Sequence, residues 1–182
     1  MDSSADEFAA VLDREKIRDC IAKLARGEDR RDGELIGGCF WPDATIDLGV
    51  FAGSVDDYLG WVVPGSPAIP VTQHVLGQSV IERTGDTALV ETHVTAYHRV
   101  TGDDGDRDSV IGGRYLDRLG KRVDQWRIGH RTMLYDWYQE FGRSVDWSHG
   151  LLGLPFADDH YCGRSVGDFS ETFFGEASRW VR

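Results

Sequence analysis

The sequence predicts a single α+β domain in which a strongly curved antiparallel sheet wraps over an N-terminal helix and forms a cone with one open mouth. Three observations lead to this fold class. An amphipathic segment lies near the start of the chain, four long alternating segments follow Pro70, and turn residues separate them. The chain has 182 residues, of which 41% are hydrophobic, and this is enough to bury the core of one domain.

The N-terminal helix is predicted from the spacing of its apolar residues. Between residues 13 and 24 these recur every three or four positions, at Ile17, Cys20, Ile21 and Leu24. Charged residues occupy the opposite face, and the helix is expected to continue toward residue 27. Two shorter helices are expected over residues 32–40 and 56–62, each followed by a proline.

Four strands of an antiparallel meander are predicted after Pro70. Apolar and polar residues alternate along each, and turn signals built around glycine and aspartate separate them. The four segments are Thr72–Glu82, Thr87–Val100, Ser109–Leu119 and Gln125–Tyr138. A shorter strand is expected to begin near Trp41 and to run through Ile46 to Leu48.

The last part of the chain carries little periodicity and is rich in glycine and aromatic residues. We expect residues 1–138 to form the main body of the domain and residues 139–182 to be a C-terminal extension of it. The extension is interpreted either as a lid over the mouth of the cone or as a subunit contact. A homo-oligomer, a dimer or a trimer, is expected.

Charge and targeting signals narrow the classes of partner. The formal net charge of -11 repels phosphate backbones and anionic lipid surfaces, so neither nucleic acid nor a membrane is an expected partner. The N-terminal residues do not resemble a signal peptide, and we expect a cytoplasmic protein. Cys20, Cys39 and Cys162 are odd in number and widely spaced, which favours reduced thiols over disulfides or a zinc cluster.

The sequence lacks the motifs that would indicate a metal or nucleotide cofactor. HExxH, GxSxG, P-loop and GxGxxG motifs in their required context are missing. His93 and His98 are separated by an odd number of residues on one predicted strand, so they lie on opposite faces and cannot bind one metal together. We therefore expect no metal and no cofactor.

His74 and Asp29 are the candidate acid/base pair. His74 begins the first long strand, where its imidazole can point into the cone, although its position alone favours an ordinary core or surface histidine. Asp29 belongs to a polar run that would ordinarily be solvated, but it is the acid of that run judged nearest to the apolar helix face. A buried carboxylate needs a partner, and an imidazole N–H provides one.

Two arginines on the last strands are candidate anion binders. Both faces of the strand that carries Arg131 are mixed, so periodicity does not orient its side chain. Arg114 is a comparable cation on the preceding strand. From the residues alone, each is better explained as a surface or ion-pair arginine.

Six segments of the chain carry a family resemblance. They are residues 17–21, 29–32, 40–44, 73–74, 111–115 and 126–135. Their order resembles the nuclear-transport-factor-2-like superfamily, in the SnoaL-like branch that includes scytalone dehydratase, hexachlorocyclohexane dehydrochlorinase and bile-acid 7α-dehydratase. The resemblance covers residues 12–138 and implies that the cone is the α+β barrel of that superfamily.

The resemblance implies roles for three residues. In these relatives an Asp after the first helix orients a His at the start of a central strand, and that His takes the substrate proton. Asp29 and His74 fall on those positions. The dehydrochlorinase also has an arginine five residues after the tryptophan of its last strand, which helps the leaving group depart, and Arg131 matches it relative to Trp126.

The sequence departs from the family at Leu24, where these relatives have a Lys or Tyr five residues before the Asp. We expect Lys23 or a tyrosine to replace that group. The expected substrate contacts are Trp41, Tyr97, Arg114, Tyr115 and Tyr135.

The function that the resemblance implies is a cofactor-independent lyase acting on a small hydrophobic, aromatic or alicyclic alcohol. Elimination of water is the leading reaction, and formaldehyde-releasing C–C cleavage, as in lignin-diarylpropane lyases, is a related version. An isomerase or polyketide-cyclase-like enzyme is the first alternative. A non-catalytic binding or assembly domain is the alternative from another class, because this fold also serves as an interaction module.

Overall fold

A computed structural model describes residues 3–146, 150–156, 168 and 170–173, and it confirms the α+β fold class. The described residues form four helices and six strands. They are α1 (Ser3–Arg30), α2 (Gly33–Gly38), β1 (Phe40–Asp47), β2 (Ala52–Ser54), α3 (Val55–Val62), β3 (Val71–Thr84), β4 (Thr87–Gly102), β5 (Gly105–Arg122), β6 (Gln125–Arg143) and α4 (Ser170–Phe173).

The six strands form one sheet in the order β2-β1-β6-β5-β4-β3. Strands β3 to β6 are the expected antiparallel meander. Strand β1, however, lies parallel to β6, with Ile46 opposite Arg131, so the sheet is mixed rather than wholly antiparallel. The alternation within a short strand such as β1 does not encode its neighbour or its direction, which is why the sequence did not predict this pairing.

Helix α1 packs its apolar stripe against the inner face of the sheet. Ile17, Ile21 and Leu24 are fully or almost fully buried there, as the spacing predicted. The helix begins ten residues earlier than expected, at Ser3 rather than near Asp13. Its first turns carry exposed side chains, so they add length without adding to the core.

A tight turn at Arg31 ends α1 and leads the chain back into α2. Arg31 has a φ of 53°, in the left-handed region that usually terminates a helix. Its guanidinium donates hydrogen bonds to three backbone carbonyls, those of Pro64, Ser66 and Ile69. Asp32 then caps α2 by accepting a hydrogen bond from the Leu35 N–H. These contacts fix the end of α1 beneath the loop that follows α3.

The β5–β6 pairing has three register shifts, and the first of them along β6 sets which of its side chains face the helix. At the first, Gly129 is the extra residue between Ile128 and His130. Trp126 and Ile128 therefore share the buried inner face with Arg131, although strict alternation would put them on the opposite face. The mixed faces noted in the sequence are the result of this change of phase.

The second bulge lies where β6 passes Gly112 and Gly113 of β5. A Cβ atom at Gly113 would lie 2.2 Å from the Leu134 carbonyl oxygen, and one at Gly112 would lie within the Trp137 ring. Only glycine permits this close approach of the two strands. The approach curves the sheet around the open end of the cone.

A buried ion pair joins the two longest strands beneath the helix. The Arg131 guanidinium, 2% exposed, donates two hydrogen bonds of 2.8 Å to the Asp117 carboxylate. The guanidinium carbon also lies 3.9 Å from the centre of the Tyr115 ring. Because both ions are paired in a bidentate geometry, the pair is compatible with the apolar core around it.

The described parts of the C-terminal extension contact the end of α1. Asp168 lies 3.1 Å from Arg30, and Ser170 accepts a hydrogen bond from Arg26. Strand β6 continues to Arg143, past the expected boundary at residue 138. Whether the extension acts as a lid or a subunit contact stays a prediction, and Cys162 lies outside the described residues.

In the described part of the chain, no helix is long and apolar enough to cross a membrane.

The close approach at Gly113 predicts that Gly113→Ala lowers the free energy of unfolding by about 1–3 kcal/mol, because the added methyl must displace backbone. Gly60→Ala, at an exposed position of α3 with open space around it, is the matched control and should be neutral or stabilise by up to about 1 kcal/mol. Urea denaturation of both variants measures the difference. Equal stability of Gly113→Ala and the native protein would contradict the packing described for the bulge.

The Asp117–Arg131 pair predicts that Asp117→Ala destabilises the protein by about 3–5 kcal/mol, because it leaves a buried guanidinium unpaired. Asp43→Ala is the control, since Asp43 and Arg122 form an exposed pair that salt and water screen. It should leave the urea midpoint unchanged. If both substitutions changed stability to the same extent, the buried pair would not contribute as described.

Candidate active site

A cavity of about 460 Å³ opens between the end of α1, helix α3 and the inner face of the sheet. Most of its wall is apolar and aromatic, supplied by Leu48, Trp61, Ala96, Ile111 and Met133 among others. The polar side chains that reach it include Glu28 at the end of α1, His74 at the start of β3 and His98 on β4. Such a concave, largely apolar site with a few polar groups is typical of a small-molecule site.

Asp29 and His74 form the pair that the sequence predicted, joining the last turn of α1 to the start of β3. Asp29 Oδ1 lies 2.7 Å from His74 Nδ1, and the His74 backbone N–H donates to both carboxylate oxygens at 3.0 and 3.1 Å. Each side chain is only 13% exposed. With the carboxylate holding a proton on Nδ1, Nε2 is the nitrogen left to accept a proton on the cavity side.

The surroundings of His74 favour its protonated form. Burial of the ring would lower the His74 pKa, but the hydrogen bond to Asp29 and the charges of Glu28 and Asp29 outweigh burial. The His74 pKa therefore lies above its ordinary value. His74 is able to act as a base once the pH exceeds that value, and its imidazolium is stabilised after it has accepted a proton.

Glu28 is a second carboxylate at this site, and the sequence analysis missed it. Its side chain is buried, accepts a 2.7 Å hydrogen bond from the Tyr58 hydroxyl and lines the cavity. Its Oε2 atom lies 3.9 Å from His74 Nε2. Glu28 is four residues after Leu24, so it continues the apolar stripe of α1, and this spacing is the signal that could have found it.

His98 on β4 is a further cavity residue to which the sequence analysis gave no role. Its ring lies 6.3 Å from the His74 ring, nearly perpendicular to it, and its Nδ1 has no hydrogen-bond partner among the described residues. Burial and the charge of His74 lower the His98 pKa, so this ring is neutral near pH 7. His93, on the opposite face of the strand, is exposed, as alternation predicted.

Arg131 does not reach the cavity, contrary to the expectation that it meets Asp29 and His74 in one pocket. Asp117 binds its guanidinium in the core, and the ring of Tyr115 lies against it. Its Nη1 atom lies 3.8 Å from Oε1 of Glu28, a side chain that lines the cavity. Arg131 therefore acts on the cavity through its charge and through Tyr115, rather than by direct contact.

Two of the expected substrate contacts line the cavity. Tyr115 lies on its inner wall, and Tyr135 lies toward the mouth, where its hydroxyl donates to the Leu48 carbonyl oxygen at 2.7 Å. Relatives have a Lys or Tyr at the position of Leu24, which is fully buried here. These two tyrosines are the remaining candidates to replace that group. Lys23 does not replace that group, since it is exposed and paired with Asp19.

Trp41 and Tyr97 do not line the cavity, contrary to expectation. The Trp41 indole N–H donates to the Gly120 carbonyl oxygen, near the closed end of the β5–β6 hairpin. The Tyr97 hydroxyl donates to Asp108 on the outer face of the sheet, because its neighbour on the strand, Ala96, takes the inner face.

Arg114 also lies away from the cavity. It forms two hydrogen bonds of 3.0 Å with Asp136 and a longer contact with Glu91. Tyr115 faces inward at the next position of β5, so the alternation of the strand directs Arg114 outward. Arg114 is the ion-pair arginine that the residues alone had favoured.

Among the described residues, no group of three His, Cys, Asp or Glu side chains is arranged to hold a metal ion. Cys20 and Cys39 are buried free thiols on the core side of α1.

Comparisons with known proteins agree with this architecture. An uncharacterised protein of Mycobacterium tuberculosis strain H37Rv is 29% identical over 137 residues, which is 72% of this chain and 91% of the relative. A Kribbella flavida protein of known structure superposes with a TM-score of 0.66 at 21% identity, covering 71% of this chain and 95% of that chain.

Two further structures superpose on most of the chain. A protein assigned as a scytalone dehydratase, from Novosphingobium aromaticivorans, gives a TM-score of 0.64 at 18% identity, covering 80% of this chain and 96% of that chain. A hexachlorocyclohexane dehydrochlorinase gives a TM-score of 0.66 at 17% identity, covering 83% and 97%. At these identities the likeness is one of fold. The family model of the SnoaL-like domain matches residues 9–132, more than half of the sequence, and the chain therefore belongs to the SnoaL-like family.

Proposed function

We propose that this chain is an acid/base lyase that eliminates water, or a comparable small leaving group, from a hydrophobic aromatic or alicyclic alcohol. The observation that carries the proposal is the 2.7 Å contact between Asp29 and His74, with Nε2 free beside an apolar cavity. A base in this position reaches a substrate proton without a cofactor. The low polarity of the walls strengthens the electrostatic interactions of the charges that develop during the reaction.

His74 starts the reaction by accepting a proton at Nε2. The C–H bond of the substrate breaks, its electrons begin to form a C=C bond, and the imidazole becomes an imidazolium. Asp29 stabilises that cation and keeps the ring from rotating, because it binds both Nδ1–H and the backbone N–H of the same residue. The pair therefore supplies the base and its orientation together.

The same imidazolium is the best placed acid for the departing hydroxyl. If the C–H and C–O bonds lie on one face of the substrate ring, His74 returns its proton to the hydroxyl as the C–O bond breaks. Water then leaves and His74 is neutral again, so protons and electrons balance. Tyr115 and Tyr135 are among the hydroxyl groups that line this space, whereas Arg131 remains behind Tyr115.

The walls of the cavity favour a flat, hydrophobic substrate. Trp61 and the tyrosines of β5 and β6 provide aromatic faces, and aliphatic side chains fill the remaining wall. Formaldehyde-releasing C–C cleavage uses the same base and is the related version of the reaction. Two structural neighbours carry the names of enzymes that remove a small group, a dehydratase and a dehydrochlorinase, and this supports elimination.

Isomerisation is the second candidate reaction. An isomerase or polyketide-cyclase-like enzyme needs the same base but no departing group. This alternative is favoured because Arg131 is paired with Asp117 behind the cavity wall and Arg31, which lines the cavity, donates to backbone carbonyls, so neither guanidinium is placed to assist a departing group. Product analysis separates the two, because elimination releases water and isomerisation leaves the substrate mass unchanged.

The proposal predicts that His74→Ala lowers turnover by roughly two to four orders of magnitude, the range for losing a general base. The assay screens aromatic diols and alicyclic alcohols and follows loss of water by mass spectrometry. The native rate should rise with pH through the His74 pKa, because only the neutral ring accepts a proton.

His93→Ala is the matched control for that substitution. His93 lies on the outer face of the sheet, 68% exposed, so its loss should leave the rate unchanged. Native-like turnover by folded His74→Ala, within about threefold, would show that His74 is not the base. The non-catalytic binding domain would then be the better description.

A further inference from the structure

We propose that Glu28 is a ligand-binding residue whose free carboxylate oxygen accepts a hydrogen bond from a hydroxyl group of the ligand. The cavity then selects neutral, hydroxyl-bearing ligands and rejects carboxylates of the same shape. This inference rests on the proposed function, since it concerns the same cavity, and it specifies the class of molecule that enters it.

The hydrogen bonds of Glu28 are incomplete. Tyr58 donates to Oε1 at 2.7 Å, and the Arg131 Nη1 atom is 3.8 Å from the same oxygen, too far for a hydrogen bond. Oε2 has no hydrogen-bond partner within the part of the chain that the structure describes, although the side chain is only 5% exposed. A buried carboxylate oxygen without a donor is costly, so a ligand that supplies a donor gains binding free energy there.

The position of Oε2 defines where that donor lies. Oε2 and His74 Nε2 are 3.9 Å apart, too far to bond to each other. One hydroxyl oxygen placed to the side of the line that joins them, at the apex of a triangle, can lie within hydrogen-bond distance of both. It donates its proton to Glu28 and accepts from His74 when the imidazole is protonated. A hydroxyl therefore satisfies both groups at once.

The charges around this position disfavour an anion. Glu28 and Asp117 are buried carboxylates and Asp29 is a partly buried one, whereas Arg131 is paired with Asp117 and lies 3.8 Å from Glu28 on the core side. Arg31 lines the cavity, but its N–H groups are directed to backbone carbonyls. A ligand carboxylate would lose its hydration and place a negative oxygen against Glu28 Oε2, with at most the Nε2–H of a protonated His74 as its donor.

A cationic ligand is also disfavoured at this point. The His74 pKa is raised, so the ring beside Oε2 accepts a proton and becomes an imidazolium more readily than an ordinary histidine. An ammonium placed between Oε2 and Nε2 would lie against that imidazolium. A neutral hydroxyl avoids both repulsions.

Three bicyclic probes test the proposal at pH 7 by isothermal titration calorimetry. They are 2-naphthol, which donates a hydrogen bond, 2-methoxynaphthalene, which has no donor, and 2-naphthoate, which is an anion. The native protein should bind 2-naphthol roughly tenfold or more tightly than 2-methoxynaphthalene, as expected for a hydrogen bond to a charged acceptor. It should bind 2-naphthoate most weakly.

Glu28→Gln keeps the size of the side chain and removes its charge. In this variant the preference for 2-naphthol should fall and the affinity for 2-naphthoate should rise, because an amide can donate to a carboxylate. Glu34→Gln, at an exposed position of α2, is the matched control and should preserve the native order. If native protein binds 2-naphthoate as tightly as 2-naphthol, or if Glu28→Gln leaves the order unchanged, the proposal is wrong.

If Glu28→Gln fails to fold, the order of the three probe affinities measured with the native protein tests the proposal by itself. None of the probes has a hydroxyl that can be eliminated, so their binding is measured without turnover. Loss of this selectivity with intact His74-dependent turnover would overturn only the role of Glu28. Native selectivity in a protein whose turnover does not depend on His74 would overturn only the proposed catalytic base.

Discussion

The hydrogen bonds between Asp29 and His74 are the interaction on which the site depends. They join the last turn of α1 to the first residues of β3, two elements that α2, β1, β2 and α3 separate along the chain. Acidic side chains in the last turn of a helix oppose its dipole, and burial adds a desolvation cost. Glu28 and Asp29 are both in this unfavourable position, so each needs donors, and His74 and Tyr58 provide them.

Two further charged side chains of the core, Asp117 and Arg131, affect the electrostatic environment of that pair. Asp117 holds Arg131 behind the cavity wall, where the guanidinium lies against Tyr115 and is 3.8 Å from Glu28. The cation thus offsets part of the negative charge without occupying ligand space. Buried ionisable groups of this kind are costly for stability and are commonly retained where a site uses them. The apolar walls in turn keep the effective dielectric low around His74.

The sequence could predict the elements whose pattern repeats, and could not predict how irregularities rearrange them. Helical spacing placed the stripe of α1, and alternation with turns placed the meander. The bulge at Gly129 changes the phase of β6, so the inward direction of Arg131 was not readable from alternation. Glu28 continues the apolar stripe of α1, but a glutamate at the end of a helix is ordinarily solvated. Its burial depends on Tyr58, a contact between distant parts of the chain.

The most direct test of the account is the tautomer and titration of the His74 ring, followed by long-range ¹H–¹⁵N NMR in native protein and in Asp29→Asn. The account predicts that, above its pKa, native His74 carries the proton on Nδ1 and leaves Nε2 bare. The native pKa should lie above the ordinary histidine value and should fall in Asp29→Asn, because the charge that stabilises the imidazolium is lost. A native ring protonated on Nε2, or a titration that Asp29→Asn leaves unchanged, would contradict the assignment of His74 as the base.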